Sequence, residues 1–116
     1  MTNFAFNKSS FDIKNFNLLI EDYCLTHKLG QAAILNMQLI CEEFLSNILF
    51  PNNEKEVNFS ISERDNDKIL SFCYIGPDYL KNISDASFLS LKLLRSKTKA
   101  INSKTQENKT TVEFVV

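Results

Sequence analysis

Glu43 and Asn47 are the two residues whose types and spacing best suit chemistry. They lie four residues apart in the apolar segment Ile40–Leu49, so in an α-helix they share one face. A carboxylate there could act as a general base on a water or a hydroxyl. An amide oxygen beside it could bind Mg²⁺, a hard cation that prefers oxygen ligands. Such a pair is more often the solvated edge of a buried helix, and periodicity alone leaves both interpretations open.

The helix that must position this pair is predicted over residues 31–50. It has no Gly, Pro or run of β-branched residues before the proline that ends it. An earlier helix is predicted over residues 12–25, with Asp12 as its candidate cap. A third helix is predicted over residues 87–96, with Ser87 as its candidate cap.

Five predicted strands supply the surface on which these helices pack. Apolar residues alternate with polar ones at Val57, Phe59 and Ile61, which indicates a strand with one buried face. The five segments lie around Phe4 and Phe6 and at residues 57–62, 69–75, 98–104 and 109–116. Their order among the helices predicts an α/β (α+β) two-layer sandwich, with about three helices on one face of a mixed, mostly antiparallel sheet.

Length and composition limit the classes of function. The 116 residues fit a single domain, 1–116, with a core of its own. The net charge of −1 offers no basic excess to neutralise phosphates, so nucleic acid is not an expected partner. The sequence has neither a signal peptide nor a membrane-spanning segment, so we expect a cytoplasmic protein with no membrane partner. Three widely spaced cysteines form no metal-binding pattern and are expected to be buried thiols.

The segment that contains Glu43 and Asn47 resembles the N-box of the histidine-kinase-like ATPase superfamily, the Bergerat fold. That motif has a glutamate, three residues and an asparagine on a long helix, as in Glu43-Phe44-Leu45-Ser46-Asn47. The resemblance implies that Glu43 is a catalytic general base and that Asn47 is the metal ligand for the Mg²⁺ bound with ATP. The order of elements matches over nearly the whole chain. Length and the helical lead-in are most similar to the anti-sigma-factor and serine-protein-kinase branch.

Two further nucleotide motifs of that family are degenerate here. In the first, the family has an aspartate that binds adenine, then any residue and a glycine, where this chain has Tyr74, Ile75 and Gly76. Asp78 is a carboxylate nearby that could replace the aspartate. In the second, Ser90 stands where the family has the main glycine of a phosphate-binding turn. The resemblance therefore makes Tyr74, Gly76, Asp78 and Ser90 the candidate nucleotide-binding residues.

The resemblance implies an anti-sigma-factor-like regulatory domain of bacterial signalling. Such a domain would bind a protein partner, either a sigma factor or a phosphorylatable antagonist, and the altered motifs predict weak or absent ATP binding. One alternative is an active ATP-dependent serine-protein kinase or ATPase with a diverged adenine pocket. Another is a non-catalytic scaffold or a homodimerisation domain.

Overall fold

The computed structural model describes residues 2–81 and 83–116. Strands and helices follow one another in the predicted order, and the second helix continues into a short π-helical segment. The elements are β1 (Thr2–Phe6), α1 (Ile13–Thr26), α2 (Gln31–Phe44), the π-helical segment (Leu45–Leu49), β2 (Val57–Arg64), β3 (Asp67–Ile75), α3 (Asp85–Lys97), β4 (Ala100–Gln106) and β5 (Lys109–Val115). In the part of the chain that is described, no helix combines the length and apolarity needed to cross a bilayer.

The five strands form one antiparallel sheet in the order β1-β2-β3-β5-β4. The β2–β3 hairpin turns at Asp65-Asn66 and the β4–β5 hairpin at Glu107-Asn108, and all four residues have positive φ. This backbone conformation is the one that two-residue hairpin turns of type I′ require. The predicted sheet is confirmed and is antiparallel throughout. The strand predicted over residues 98–104 is shifted to Ala100–Gln106 because its turn has only two residues.

One face of the sheet is apolar and is covered by the helices. Phe59 of β2 and Phe72 of β3 are neighbours across the strands, and both are fully buried. Phe16 of α1 packs on Phe59, and Phe44 of α2 packs on Phe72, each with ring centroids 4.9 Å apart. Burying an aromatic side chain stabilises a fold by roughly 1.5–3 kcal/mol. The core therefore lies between the helical layer and this face, as predicted for a two-layer fold.

The structure confirms one of the two predicted helix caps and corrects the other. Asp12 caps α1 as predicted, because its carboxylate accepts a hydrogen bond from the backbone N–H two residues later at 3.1 Å. The prediction that Ser87 caps the third helix is wrong. Helix α3 begins at Asp85, with Ser84 at the N-cap position, and the hydroxyl of Ser87 donates to a neighbouring element instead.

The predicted helix over residues 31–50 is not a uniform α-helix. After Phe44 it continues as the π-helical segment, where the N–H of Phe50 donates to the carbonyl oxygen of Leu45 at 2.9 Å. Two adjacent pairs, Phe44-Leu45 and Ile48-Leu49, are buried here. Their spacing continues the apolar stripe of α2 through the π-helical segment.

The cysteines are free thiols. Cys24 and Cys41 are buried, as predicted, whereas Cys73 is only partly buried. Burial raises the pKa of Cys41 well above its ordinary value, so its thiol is protonated and unreactive at neutral pH. Cys24 and Cys41 are therefore structural side chains.

Candidate functional site

Glu43 and Asn47 lie on either side of the junction between α2 and the π-helical segment. Glu43 is in the last turn of α2 and is half-buried, whereas Asn47 is inside the π-helical segment and is exposed. Hydrogen bonds in a π-helix join residues five apart, so its turns contain more residues than α-helical turns. The regular spacing that places both side chains on one face therefore ends between them.

Asn47 lines a shallow cavity of about 480 Å³, which we call the serine groove. The other lining residues are Ser46, Pro51, Asn52, Ser84, Ser87 and Ser90. The hydroxyl of Ser87 donates to the carbonyl oxygen of Asn47 at 3.2 Å, which ties the start of α3 to the π-helical segment. Two candidate residues, Asn47 and Ser90, thus share one groove, and Glu43 is not among its lining residues.

The serine groove is polar but carries no charge of its own. Its lining consists of hydroxyl and amide side chains and one proline. Such groups donate and accept hydrogen bonds. A phosphate is held most strongly by charge-assisted bonds from Arg or Lys, and no lining residue supplies one. The groove can bind a neutral polar group more readily than a triphosphate.

Tyr74 lies at the end of β3, at the position where the resemblance places the adenine contact. Its side chain is buried, with 2% of its surface exposed. Its hydroxyl donates to the carbonyl oxygen of Pro77 at 3.0 Å, and its ring stacks on Tyr79 with centroids 5.6 Å apart. Burial raises the pKa of Tyr74 well above its ordinary value, so the phenol stays neutral and remains a donor.

Gly76 is enclosed by the same side chains. Its φ of +146° is a conformation that residues with a Cβ rarely adopt. A Cβ added there would lie 2.9 Å from the side-chain nitrogen of Asn53 and 3.1 Å from the hydroxyl of Tyr79. The hydroxyl of Thr110 donates to the carbonyl oxygen of Gly76 at 2.7 Å. We call Asn53, Tyr74, Gly76, Tyr79 and Thr110 the tyrosine cluster.

Asp78 is buried beside this cluster and has local partners. Its carboxylate accepts hydrogen bonds from the backbone N–H of Leu80 at 2.9 Å and from the hydroxyl of Ser103. The ammonium of Lys81 is 3.9 Å away. These bonds hold the loop after β3 against β4. Asp78 therefore stabilises the loop, and its oxygens are already engaged.

The residues that the resemblance assigns to adenine are engaged with protein groups. The Tyr74 ring is buried and stacks on Tyr79, and its hydroxyl is bonded to Pro77. The carboxylate of Asp78, the candidate replacement, is bonded to protein groups. For Mg²⁺, Asn47 offers one amide oxygen, exposed in the serine groove. Within residues 2–81 and 83–116, no group of three or more His, Cys, Asp or Glu residues is placed to hold a metal ion.

Sequence reasoning missed several residues that shape this region. Asn53 donates to the carbonyl oxygen of Ile75 at 2.8 Å, which ties the loop before β2 to the end of β3. The hydroxyl of Tyr79 donates to the carbonyl oxygen of Asn52 at 3.2 Å, linking the tyrosine cluster to the rim of the serine groove. The polar turn containing Asn53 was visible in the sequence, but nothing local indicated these distant partners.

Comparisons with known proteins identify the fold. No family model matches the chain, and no curated protein matches its sequence. Among solved structures, it is similar to a chain in the crystal structure of the SiaB–SiaC complex from Pseudomonas aeruginosa. The two chains are 13% identical, the match covers 97% of this chain and 88% of that chain, and the TM-score is 0.65. At this identity the likeness establishes a common fold only, since one fold serves many functions.

Proposed function

We propose that this chain is a regulatory domain of bacterial signalling that binds a protein partner and binds ATP weakly or not at all. The proposal includes the descent of this chain from the Bergerat-fold ATPases and, within them, from the anti-sigma branch. The candidate partners are a sigma factor or a phosphorylatable antagonist. Glu43 and Asn47 are then retained parts of an N-box whose nucleotide pocket has closed.

The observation that carries this proposal is the tyrosine cluster. A buried ring stands in place of the adenine-binding aspartate, and its hydroxyl has a protein partner. Opening the pocket would require both tyrosines to leave their stack and Asn53 to give up its bond to β3. Each of these changes exposes apolar surface or unpairs a polar group, and both have a cost in free energy.

The structural likeness supports the partner-binding half of the proposal. The similar chain comes from a complex of two different proteins. That association belongs to the neighbour, and the common fold makes it a reasonable model for this chain.

A second candidate is an active serine-protein kinase with a diverged adenine pocket. The serine groove favours it, because Asn47 is exposed there beside Ser90, the position of the phosphate-binding turn. In this case Glu43 would be the general base. A third candidate is a scaffold in which both residues are relics.

Calorimetry with ATP and ADP, with and without Mg²⁺, separates the first two candidates. We expect no saturable binding below about 1 mM nucleotide. Micromolar binding that needs Mg²⁺ and is lost in Asn47→Ala would contradict the proposal and support the kinase. The Tyr74→Asp variant tests whether Tyr74 is the reason for weak nucleotide binding. A gain in affinity would show that Tyr74 alone closes the pocket, and no gain would show that the change is wider.

The partner-binding half needs a separate test. The purified chain is mixed with the products of genes encoded beside its own, where a sigma factor or a phosphatase is expected. Co-elution in size-exclusion chromatography with a sigma factor or its antagonist would support the regulatory function. If neither co-elutes and the chain binds no nucleotide, the scaffold remains.

A further inference from the structure

The helices expose apolar side chains on the side away from the sheet. Six of the eight large hydrophobic side chains that are exposed in the described residues belong to helices. They are Leu18 and Leu25 of α1, Leu35 and Leu39 of α2, and Phe88 and Leu89 of α3, and we call the outward surface that carries them the helical face. Leu89 is 75% exposed and Leu25 is 58% exposed. Apolar side chains concentrated on one surface are typical of an interaction site.

The three helices lie side by side, with α2 in the middle. The side chain of Gln38 donates to the carbonyl oxygen of Asn17 in α1 at 3.0 Å. On the other side, Asn36 donates to the carbonyl oxygen of Lys97 in α3 at 3.1 Å. Since Gln38 and Asn36 are two residues apart on α2, Asn17 of α1 and Lys97 of α3 lie at nearly the same level along it.

The two outer helices, α1 and α3, carry opposite charges on their exposed sides. Helix α1 contains two acidic and one basic residue, whereas α3 contains one acidic and three basic residues. On α1, Glu21 and Asp22 lie between the exposed leucines. On α3, Lys92 and Arg95 follow Leu89 on the same exposed side of the helix. The helical face is therefore acidic at one edge and basic at the other.

These charges are not used within the chain. In the described part of the molecule, no ion pair includes Glu21, Asp22, Lys92 or Arg95. The ammonium of Lys92 lies 5.6 Å from the centre of the Phe88 ring, a cation–π contact that keeps it beside the exposed apolar side chains. The basic edge thus combines available positive charge with exposed hydrophobic surface.

We infer that the helical face binds a second copy of this chain, with α1 of each copy on α3 of the other. A two-fold axis running along α2 exchanges the outer helices. The acidic edge of each copy then meets the basic edge of the other, which gives two such contacts in the dimer. Leu35 and Leu39 of both copies then meet at the centre. Glu21 and Asp22, about one helical turn beyond Asn17, then face the region of Arg95 and Lys97. Complementary charge sets the orientation, and apolar burial supplies the affinity.

Sedimentation velocity on the full chain, from about 1 to about 200 µM, tests this dimer. We expect a concentration-dependent monomer–dimer equilibrium that weakens as salt is raised. Leu35→Ser, at the centre, should weaken dimerisation by about tenfold or more. The matched control is Ile75→Ser, an exposed apolar residue at the end of β3 and outside the helical face, which should leave the equilibrium unchanged.

Charge reversal gives the sharper test. The double variants Glu21→Lys/Asp22→Lys and Lys92→Glu/Arg95→Glu should each dimerise about tenfold more weakly than the native chain. An equimolar mixture of the two should recover native dimerisation, because both edges of the mixed dimer again carry opposite charges. Circular dichroism checks that each variant is folded.

Three results would overturn the inference. One is a native chain that stays monomeric at 200 µM, which would assign the helical face to a different protein. Another is a dimer that Leu35→Ser leaves intact. The last is a mixture of the two charge-reversed variants that fails to recover native dimerisation. Because none of these measurements involves nucleotide or a neighbouring gene product, they can fail while the proposed function stands.

Discussion

The tyrosine cluster and the serine groove lie next to each other but differ in how far their side chains are buried and bonded within the chain. In the cluster, Tyr74 is buried and its hydroxyl, like that of Thr110, is bonded to a protein group. In the groove, Asn47 is exposed, and its backbone carbonyl rather than its side chain accepts the bond from Ser87. The comparison indicates that the cluster serves stability, whereas the groove is free to contact another molecule.

The largest expected effect follows from removing the ring at the centre of the cluster. Tyr74→Ala should destabilise the fold by about 3–5 kcal/mol, the usual loss for a buried aromatic side chain. Asn47→Ala in the groove is the control and should change stability by no more than about 0.5 kcal/mol. Urea denaturation measures both. A loss below about 1 kcal/mol for Tyr74→Ala would mean that the ring is not needed to fill the pocket.

Gly76→Ala tests how tightly the cluster closes around the backbone. The variant combines a strained positive φ with a Cβ too close to Asn53, so we expect a loss of about 2 kcal/mol. Gly30→Ala is the matched control, because a Cβ at Gly30 meets nothing within 4 Å and Gly30 has no positive φ. Its loss should stay below about 1 kcal/mol. Equal losses at the two glycines would contradict the close packing described for Gly76.

Thr110→Val keeps the shape of the side chain but removes two hydrogen bonds of its hydroxyl, one to the carbonyl oxygen of Gly76 and one shared with the hydroxyl of Thr105. The carbonyl oxygen of Gly76 loses its buried donor, which should cost about 1–2 kcal/mol. Thr111→Val is the control on the opposite, partly exposed face of the sheet and should stay within about 0.5 kcal/mol. If both variants have the same stability, the hydrogen bonds of the Thr110 hydroxyl contribute nothing.

The smallest expected effect is the pH dependence of the stability that the Tyr74 hydroxyl contributes. The pKa of Tyr74 is raised in the folded state, so the folded chain holds this proton more tightly than the unfolded chain does. Stability from this group is complete below its unfolded pKa of about 10 and falls as pH rises beyond it. The stability difference between the native chain and Tyr74→Phe should therefore narrow above pH 10. A difference that is constant from about pH 8 to about pH 11 would place the hydroxyl in contact with solvent.

The sequence predicted the features of the fold that depend on local pattern. Asp12 caps α1, and the alternation at Val57 and Phe59 marks the buried face of β2, because each signal lies within a few residues. The π-helical segment was not predictable, because the buried positions between Ile34 and Leu49 keep ordinary α-helical spacing. The role of Ser87 was not predictable either, because its hydroxyl bonds to Asn47, 40 residues away, and Ser84 holds the N-cap position of α3.

The candidate site was harder to predict than the fold. The sequence indicated that Tyr74 stands where the family has an aspartate, and the structure shows that its ring is buried. It could not indicate that Thr110 would lie opposite Tyr74, because that contact depends on the pairing of β3 with β5. It also could not place Asp78 against Ser103, which is 25 residues away and on a different element.

The most direct test of the central claim is an NMR titration of the ¹⁵N-labelled chain with ATP and Mg²⁺, following the backbone amides of Gly76 and Asn47. Each amide reports on one of the two regions. Since the tyrosine cluster is closed, we predict that neither amide signal saturates at nucleotide concentrations up to about 5 mM. If both amides shift together and saturate at micromolar nucleotide, ATP spans the cluster and the groove, and the closed-pocket account is wrong.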